Sequence, residues 1–236
     1  MNTIKRDLDE GFEQINKIID LIKAIEEGLV SYTGIVTTSP VIKASTMLAL
    51  YNIIESTITK VLKKIHLDII SSNSSFEDLT QEIKNLIILY YFYHKKNANN
   101  IHDSLDVIND TINIIGCKKM FNLTYDDMSK VYQLYSGNLD AKEVRSIFKK
   151  YGVMLNEDVG QSLHTIKKVR NKLAHGEQSF EDYGRTLVRT KLEEFFQDTQ
   201  SFLNMVLNIV SDFISQKKYR TKKTKNMNKR HKKNKR

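Results

Sequence analysis

Apolar residues recur along most of the chain at alternating steps of three and four, which is the spacing of one face of an α-helix. A first stripe predicts an N-terminal helix through Leu8, Phe12, Ile15, Ile19 and Ile22. After a loop expected around Thr37, Ser39 and Pro40, a second stripe predicts a helix of about 30 residues through Met47, Tyr51, Ile54, Ile58, Val61 and Ile65. Helices with such faces cannot remain singly solvated, so they should pack together.

Helix-capping residues divide the middle of the chain into shorter elements. Ser75 and Asp78 have the spacing of a cap and predict the start of a third helix. Asp140 and Glu143 have capping-box spacing, with aspartate in the usual serine or threonine role, and predict a short helix that ends at Gly152.

Two more helices are predicted toward the C-terminus. One should run from near Glu157 to His175, where Gly176 stops it. Thr190 and Glu193 form a standard capping-box pattern and predict the start of the last long helix. The apolar stripe of that helix, with one polar interruption, runs through Leu192, Phe196, Thr199, Leu203, Val206, Val210 and Phe213.

The fold class follows from what is missing as well as from these stripes. No segment alternates between apolar and polar residues with a period of two, and 1 proline and 9 glycines are few for a sheet-rich chain. The sequence therefore predicts an all-α, antiparallel helical bundle with smaller helices inserted between the second helix and the late pair. An alternative is that the stripes are coiled-coil seams between subunits.

The net charge of +9 is concentrated at the C-terminus, because residues 217–236 hold twelve Lys or Arg and no acid. Removing those twelve from 37 basic residues leaves 25 against 28 acidic ones, so the rest of the chain is mildly acidic. We expect a helical domain over 1–216 and a disordered basic tail over 217–236, which binds polyanions or only aids solubility. Its candidate RNA contacts are Lys222, Lys223, Arg230, Lys232 and Lys233.

Cysteine usage and hydropathy bear on where the protein resides. A single cysteine, Cys117, excludes an intrachain disulfide and a multi-cysteine zinc site, and it fits a reducing compartment. The longest apolar run, Leu86–Tyr93, is far shorter than the roughly 20 residues that cross a bilayer. The N-terminus lacks the pattern of a signal peptide. We expect a soluble, cytoplasmic protein with no membrane partner, no metal and no cofactor.

The segment Arg170–His175 contains two side chains suited to cleaving RNA without a metal. That reaction needs a base for the ribose 2′-OH, a cation for the charge that builds on the phosphate, and an acid for the leaving 5′-oxygen. Imidazole exchanges protons near neutral pH, and guanidinium stays charged and contacts phosphate oxygens through a planar fork. Arg170 and His175 are therefore candidate catalytic residues.

The neighbours of this pair add to the hypothesis. Asn171 precedes His175 by four residues and shares its helix face, so it could orient the imidazole. Lys167, Lys168 and Lys172 make the surroundings cationic and are candidate RNA contacts. From spacing alone, an alternative stays open: a surface helix that ends in a histidine beside the negative end of the helix dipole.

Four segments resemble a known family. Val169–Gly176 resembles the Arg-x4-to-6-His signature of the HEPN superfamily, with its polar residue after the arginine. Ser136–Arg145, Leu50–Thr57 and Ser179–Arg185 resemble parts of one bacterial branch of HEPN-like nucleases, so the resemblance spans roughly residues 1–215. It implies a dimeric helical-bundle nuclease with two Arg/His motifs facing one cleft and RNA products that end in 2′,3′-cyclic phosphates.

The resemblance implies roles for Arg170, Asn171 and His175 alone. A homodimer is also expected because one histidine cannot act as base and acid at once, whereas a two-fold axis supplies a second copy. The alternative is that only one proton transfer is assisted. Glu55 is a supporting candidate: its carboxylate falls in an apolar stripe, where it would need a cation such as Arg170, unless the helix turns it to the rim of the bundle.

The predicted activity also implies a partner. A free ribonuclease would damage its own cell, so we expect restraint by an antitoxin or by a sensor ATPase of a phage-defence system, as is usual for the family that the chain resembles. An alternative function is a catalytically inactive HEPN-like module that dimerises and is tethered to nucleic acid by its basic tail. A third is an accessory subunit that acts through the tail alone.

Overall fold

The computed structural model describes residues 1–30, 34–96, 101–116 and 120–221, a range that leaves out Cys117. Within it the chain is all-helical, as predicted, and one isolated bridge pairs Leu79 with Arg220. None of the described helices is long and apolar enough to cross a membrane. The helices are α1 (Asn2–Glu26), α2 (Ile35–Ser71), α3 (Gln81–Lys96), α4 (Ile101–Ile115), α5 (Tyr125–Val131), α6 (Ala141–Lys150), α7 (Leu163–Ala174), α8 (Phe180–Thr186) and α9 (Arg189–Ser215), with a short 3-10 helix over Phe76–Asp78.

Helix α2 is the central element, because α1, α7, α8 and α9 all pack against it. Every predicted stripe position of α1 and α2 is buried, which confirms the two N-terminal helices. They approach closely at Gly11, where a Cβ would lie 2.9 Å from Ile53 Cδ1. This scaffold of long helices carries α7, on which the candidate catalytic residues lie.

The loop predicted around Thr37, Ser39 and Pro40 is wrong, because α2 begins at Ile35 and continues through the proline. Pro40 is the sixth residue of α2, so its missing N–H removes one i to i−4 hydrogen bond from the second turn of the helix. The Pro40 carbonyl contacts Gly184 of α8, where a Cβ would overlap it. Glycine therefore allows α8 to lie directly against the first turns of α2.

Helices α3 to α6 form a second group beside α2. Helix α3 packs against α4, α5 and α6, and α5 also packs against α2. In their midst His66 of α2 is buried, with Nδ1 2.8 Å from the Leu123 carbonyl oxygen and Nε2 2.9 Å from the Tyr151 hydroxyl. His66 is thus a core residue with both ring nitrogens bonded.

The predicted boundary between bundle and tail at residue 217 falls too early. Tyr219 is fully buried, and its hydroxyl donates to Asp68 Oδ2 at 2.9 Å. The main chain is fixed by N–H···O bonds of 2.9 Å from Thr80 to Tyr219 and from Thr221 to Asp78. The packed body therefore extends at least to Thr221. Outside the described residues lie the candidate tail contacts Lys222, Lys223, Arg230, Lys232 and Lys233.

The cap predicted for the last helix is wrong, since α9 begins one residue before Thr190 and its N-cap, Val188, makes no side-chain bond. Arg189 instead pairs with Glu193 at 2.5 Å and with Glu26 of α1 at 3.1 Å. The carboxylate of Glu193, which a capping box would use, is therefore bound to Arg189.

A second cap is present but opens a different element. Ser75 and Asp78 form a capping box, but it begins the 3-10 helix, and α3 starts only at Gln81. The Asp140 cap is as predicted: its side chain accepts the Glu143 N–H at 2.9 Å and begins α6. A loop over residues 151–162 joins α6 to α7.

Candidate active site

Helix α7 begins later than the predicted start near Glu157 because a structured loop precedes it. Asp198 of α9 accepts the backbone N–H groups of Gly160 and Ser162, each at 2.7 Å, and so caps the helix from another element. The guanidinium of Arg145 donates to two carbonyl oxygens earlier in the same loop. These side chains bind backbone groups that an earlier helical turn would have needed.

The end of α7 lies where the sequence predicts it. Gly176 has a φ of +70°, and its N–H donates to the Leu173 carbonyl at 3.3 Å, while Glu177 N–H donates to Lys172 O at 2.9 Å. This pair of bonds is a Schellman motif. His175 occupies the last position before the glycine, and its imidazole is exposed and bonds to no other described residue.

Arg170 is half-buried, and its guanidinium lies over an aromatic ring. The guanidinium carbon lies 4.5 Å from the centroid of the Tyr51 ring, a cation–π contact. Arg170 Nη1 donates to Asn171 Oδ1 at 3.0 Å. No carboxylate within the described ranges forms an ion pair with Arg170, so its charge is not neutralised there.

Asn171 holds the arginine and not the imidazole. Its Nδ2 donates to Asn138 Oδ1 at 2.8 Å, and its Oδ1 is occupied by Arg170. The bond that joins Asn171 to His175 is the backbone bond of the helix, at 2.9 Å. The predicted role of Asn171 in orienting the imidazole is therefore not seen, because its amide already has two partners.

Asn138 belongs to the loop Ser136–Leu139, whose backbone is hydrogen-bonded to Tyr51. The Tyr51 hydroxyl donates to the Gly137 carbonyl and accepts the Leu139 N–H at 3.1 Å. Burial raises the pKa of Tyr51, so the hydroxyl keeps its proton and remains a donor. Gly137 has a φ of +73°, which favours glycine at this turn.

Lys167, a predicted RNA contact, is bound within the chain. Its ammonium pairs with Asp140, and His164 Nδ1 lies 3.3 Å from the same carboxylate oxygen. Burial raises the pKa of Asp140, but the bonds from Lys167, the Glu143 N–H and His164 outweigh it and lower the pKa to about 2. Asp140 thus anchors α7 to the start of α6.

The exposed side of α7 is strongly cationic. The helix contains Lys167, Lys168, Arg170 and Lys172 and no acid. Lys168 and Lys172, both predicted RNA contacts, are exposed. An open groove of about 590 Å³ runs between the starts of α6 and α7, and it is lined by Asp140, Ala141, Lys142, Glu143, Arg145, Gly160, Gln161, His164 and Lys167. An anionic polymer along α7 would meet several cations in succession.

Glu55 lies one helical turn after Tyr51 and is half-buried. A Cβ on Gly137 would lie 3.7 Å from Glu55 Oε1, so the carboxylate lies close to the loop that contains Asn138. The suggested ion pair with Arg170 is absent from the described residues. The structure therefore assigns Glu55 no direct contact with the motif.

Two contributors to the site are not among the predicted site residues. The apolar stripe of α2 predicts only a core position for Tyr51, and the sequence predicts no role for Asn138. Both lie inside segments on which the family resemblance rests, Leu50–Thr57 and Ser136–Arg145. That placement was the available signal. Within the described residues, no three His, Cys, Asp or Glu side chains are grouped so as to hold a metal ion.

The sequence was compared with those of known protein families. The sequence matches the HEPN_MAE_28990-like HEPN family over residues 1–219. No curated protein and no solved structure matches significantly. The family match covers all of the described helices and the three segments that form the site, which are α2, the loop Ser136–Leu139 and α7. The chain therefore belongs to the HEPN_MAE_28990-like HEPN family.

Proposed function

We propose that the chain is a metal-independent endoribonuclease in which Arg170 and His175 are catalytic residues. The observation that carries this proposal is the end of α7, where Tyr51 and Asn171 hold a guanidinium that pairs with no carboxylate in the described part of the chain, five residues before an exposed imidazole. Family membership supports it, because HEPN domains are often ribonucleases. The acid-free helix around the motif favours a polyanionic substrate.

The chemistry follows from these two groups. A neutral imidazole takes the proton of a ribose 2′-OH, and the oxygen attacks the adjacent phosphorus. Arg170 donates to the non-bridging oxygens as negative charge builds on them. The bond from phosphorus to the 5′-oxygen breaks, and a protonated imidazole gives that oxygen its proton. The products are a 2′,3′-cyclic phosphate and a 5′-hydroxyl, and no metal or water is consumed in this step.

The reaction uses one imidazole as base and another as acid, so the proposal includes a homodimer with the histidine of a second copy at the same cleft. The exposed position of His175 at the end of its helix is compatible with such an arrangement. A mixing experiment tests the dimer. Wild type is mixed with an equal amount of a His175→Ala variant and the subunits are allowed to exchange. The mixture should have about half of the activity of the same amount of wild type alone, because half of the wild-type chains are then paired with the variant. Unchanged activity would show that one histidine suffices.

We also propose that the enzyme acts as a toxin or phage-defence effector and is restrained by an antitoxin or a sensor ATPase. Unrestrained cleavage of cellular RNA would stop growth. Expression of the chain without a partner should therefore arrest cells, while His175→Ala should be tolerated at the same protein level. Equal growth with both proteins would remove the need for a restraining partner.

The catalytic assignment is tested with purified protein and end-labelled RNA in EDTA. Wild type should cut, and Arg170→Ala and His175→Ala should each lose at least about 100-fold in rate. His102→Ala and Arg6→Ala are matched controls, because both residues are exposed on other helices. Folded wild type that binds RNA but never cuts it would instead favour the inactive, tail-tethered module.

A further inference from the structure

A closed ring of contacts surrounds the motif arginine. Arg170 bonds to Asn171, Asn171 bonds to Asn138, and the loop that carries Asn138 is bonded to the Tyr51 hydroxyl. The Tyr51 ring closes the set of contacts, because the Arg170 guanidinium carbon lies over it, 4.5 Å from its centroid. The ring joins α2, the loop Ser136–Leu139 and α7, so it depends on the folded chain as a whole.

Hydrogen bonding allows one orientation of the Asn171 amide. Guanidinium has only N–H donors, so the Asn171 atom facing Arg170 must be the oxygen. The Asn171 NH2 group then faces Asn138, which must present its own oxygen as acceptor. A reversed amide at either position would place donor against donor. The arginine edge is therefore specified through two side-chain amides.

Tyr51 fixes the other side of the guanidinium. Its side chain is fully buried, and its hydroxyl uses its single donor on the Gly137 carbonyl and an acceptor position on the Leu139 N–H. With ring and hydroxyl both held, the ring surface over which the guanidinium lies is fixed. The same two bonds hold the backbone on either side of Asn138.

We propose that Tyr51 and Asn138 are positioning residues, which set the plane and the direction of the Arg170 guanidinium before RNA binds. The inference rests on the proposed ribonuclease function. A preset guanidinium needs no reordering as charge develops on the phosphate, so its loss lowers the rate of cleavage more than the affinity for RNA. The chemical class that this arrangement fits is a phosphodiester that accepts from the Arg170 N–H groups not bonded to Asn171.

Asn138→Ala is the sharpest test, because Asn138 is exposed and its removal leaves the core untouched. Ser136→Ala is the matched control in the same loop, since Ser136 is also exposed and bonds to no described side chain. Cleavage at saturating RNA should fall about 10-fold or more in Asn138→Ala only. Affinity for a 2′-O-methyl RNA, which cannot be cut by 2′-OH attack, should stay within about twofold, with an unchanged melting temperature.

A conservative variant separates positioning from other roles. In Asn138→Asp a carboxylate oxygen still accepts the Asn171 N–H, so the rate at saturation should recover toward wild type. The added negative charge should weaken RNA binding instead. Asn138→Ala that cuts as fast as Ser136→Ala would overturn the proposal, and so would a loss of affinity with no loss of rate, which would make Asn138 a direct RNA contact.

A second readout does not depend on activity. The side-chain Nε–Hε resonance of Arg170 should be shifted by the Tyr51 ring in wild type and should move toward that of a free arginine in Asn138→Ala. If wild type cuts no RNA, the proposed function fails, while this resonance still decides whether Asn138 orders Arg170. An identical resonance in both proteins would contradict the positioning role.

Discussion

The two halves of α2 use polar side chains in opposite ways. Around His66 the polar groups are buried and bond to one another: the imidazole bonds to Leu123 and Tyr151, and Tyr219 bonds to Asp68. Around Tyr51 the bonded polar groups lead to the Arg170 guanidinium, which pairs with no described carboxylate, and the exposed imidazole of His175 follows five residues later in the chain. One half is closed and stabilises the fold, whereas the other is ordered but left open to a ligand.

The two histidines make this contrast concrete. The bond to the Leu123 carbonyl requires a proton on His66 Nδ1, so Nε2 accepts the Tyr151 hydroxyl proton, and the neutral ring is fully satisfied. Burial lowers the pKa of His66 to about 4. His175 is exposed and has no such partners. A histidine at the closed end should therefore affect stability, and one at the open end should affect activity.

The largest stability effect is expected from acid at the closed end. Below pH 6.5 the imidazole of His66 is protonated in the unfolded state, whereas in the folded state it is protonated only below about pH 4. Stability from this residue is complete above pH 6.5 and falls by about 3 kcal/mol as the pH drops to about 4. Urea unfolding at pH 7 and pH 4 should show the difference in free energy between wild type and His66→Gln shrinking by that amount.

His175→Gln is the control for this prediction. Because its imidazole is exposed and forms no hydrogen bond or ion pair with a described residue, its free energy of unfolding should follow wild type within about 0.5 kcal/mol at both pH values. A His66→Gln protein whose difference from wild type does not change with pH would contradict the account of the closed end.

A smaller effect is expected from the anchor of α7. Lys167, the Glu143 N–H and His164 outweigh burial and lower the pKa of Asp140 to about 2 from 3.8, so its contribution is complete above pH 3.8 and is lost as the pH falls to about 2. Asp140→Asn keeps a helix cap but loses the ion pair, and it should cost about 2 kcal/mol at pH 7. Thermal unfolding between pH 7 and pH 2 should show this cost declining. A cost that is constant with pH would mean that the cap alone matters.

The smallest effect is expected from the exposed lysines of α7. Lys168→Ala and Lys172→Ala should each weaken binding of 2′-O-methyl RNA by only a few-fold and reduce the dependence of affinity on salt by about one ion. Fluorescence anisotropy at several salt concentrations measures both quantities. Lys5→Ala on α1 is the matched control, and an equal change there would assign the effect to net charge and not to α7.

The helices were predictable where an apolar stripe alone determines them. The apolar stripes of α1 and α2 are buried as expected. The resemblance to the HEPN superfamily, which rests on four short segments, is confirmed by the family match. The stop of α7 at Gly176 was also predictable, because a glycine with positive φ is a local signal.

The features that sequence reasoning missed depend on contacts between distant elements. Asp198 of α9 caps α7, so the start of that helix is set from outside its own sequence. Tyr219 is buried and bonds to Asp68, although its neighbours in the sequence are basic and predict an exposed tail. The Tyr51 ring belongs to the site because α2 packs against α7, a contact that neither helix sequence predicts by itself.

The most direct measurement compares one RNA sequence with its fully 2′-O-methylated form, each incubated with wild type in EDTA, and identifies the product ends by mass spectrometry. The account predicts that only the unmodified strand is cut and that it yields 2′,3′-cyclic phosphate and 5′-hydroxyl ends. Cleavage of the methylated strand, or products with 5′-phosphates, would contradict attack by the ribose hydroxyl.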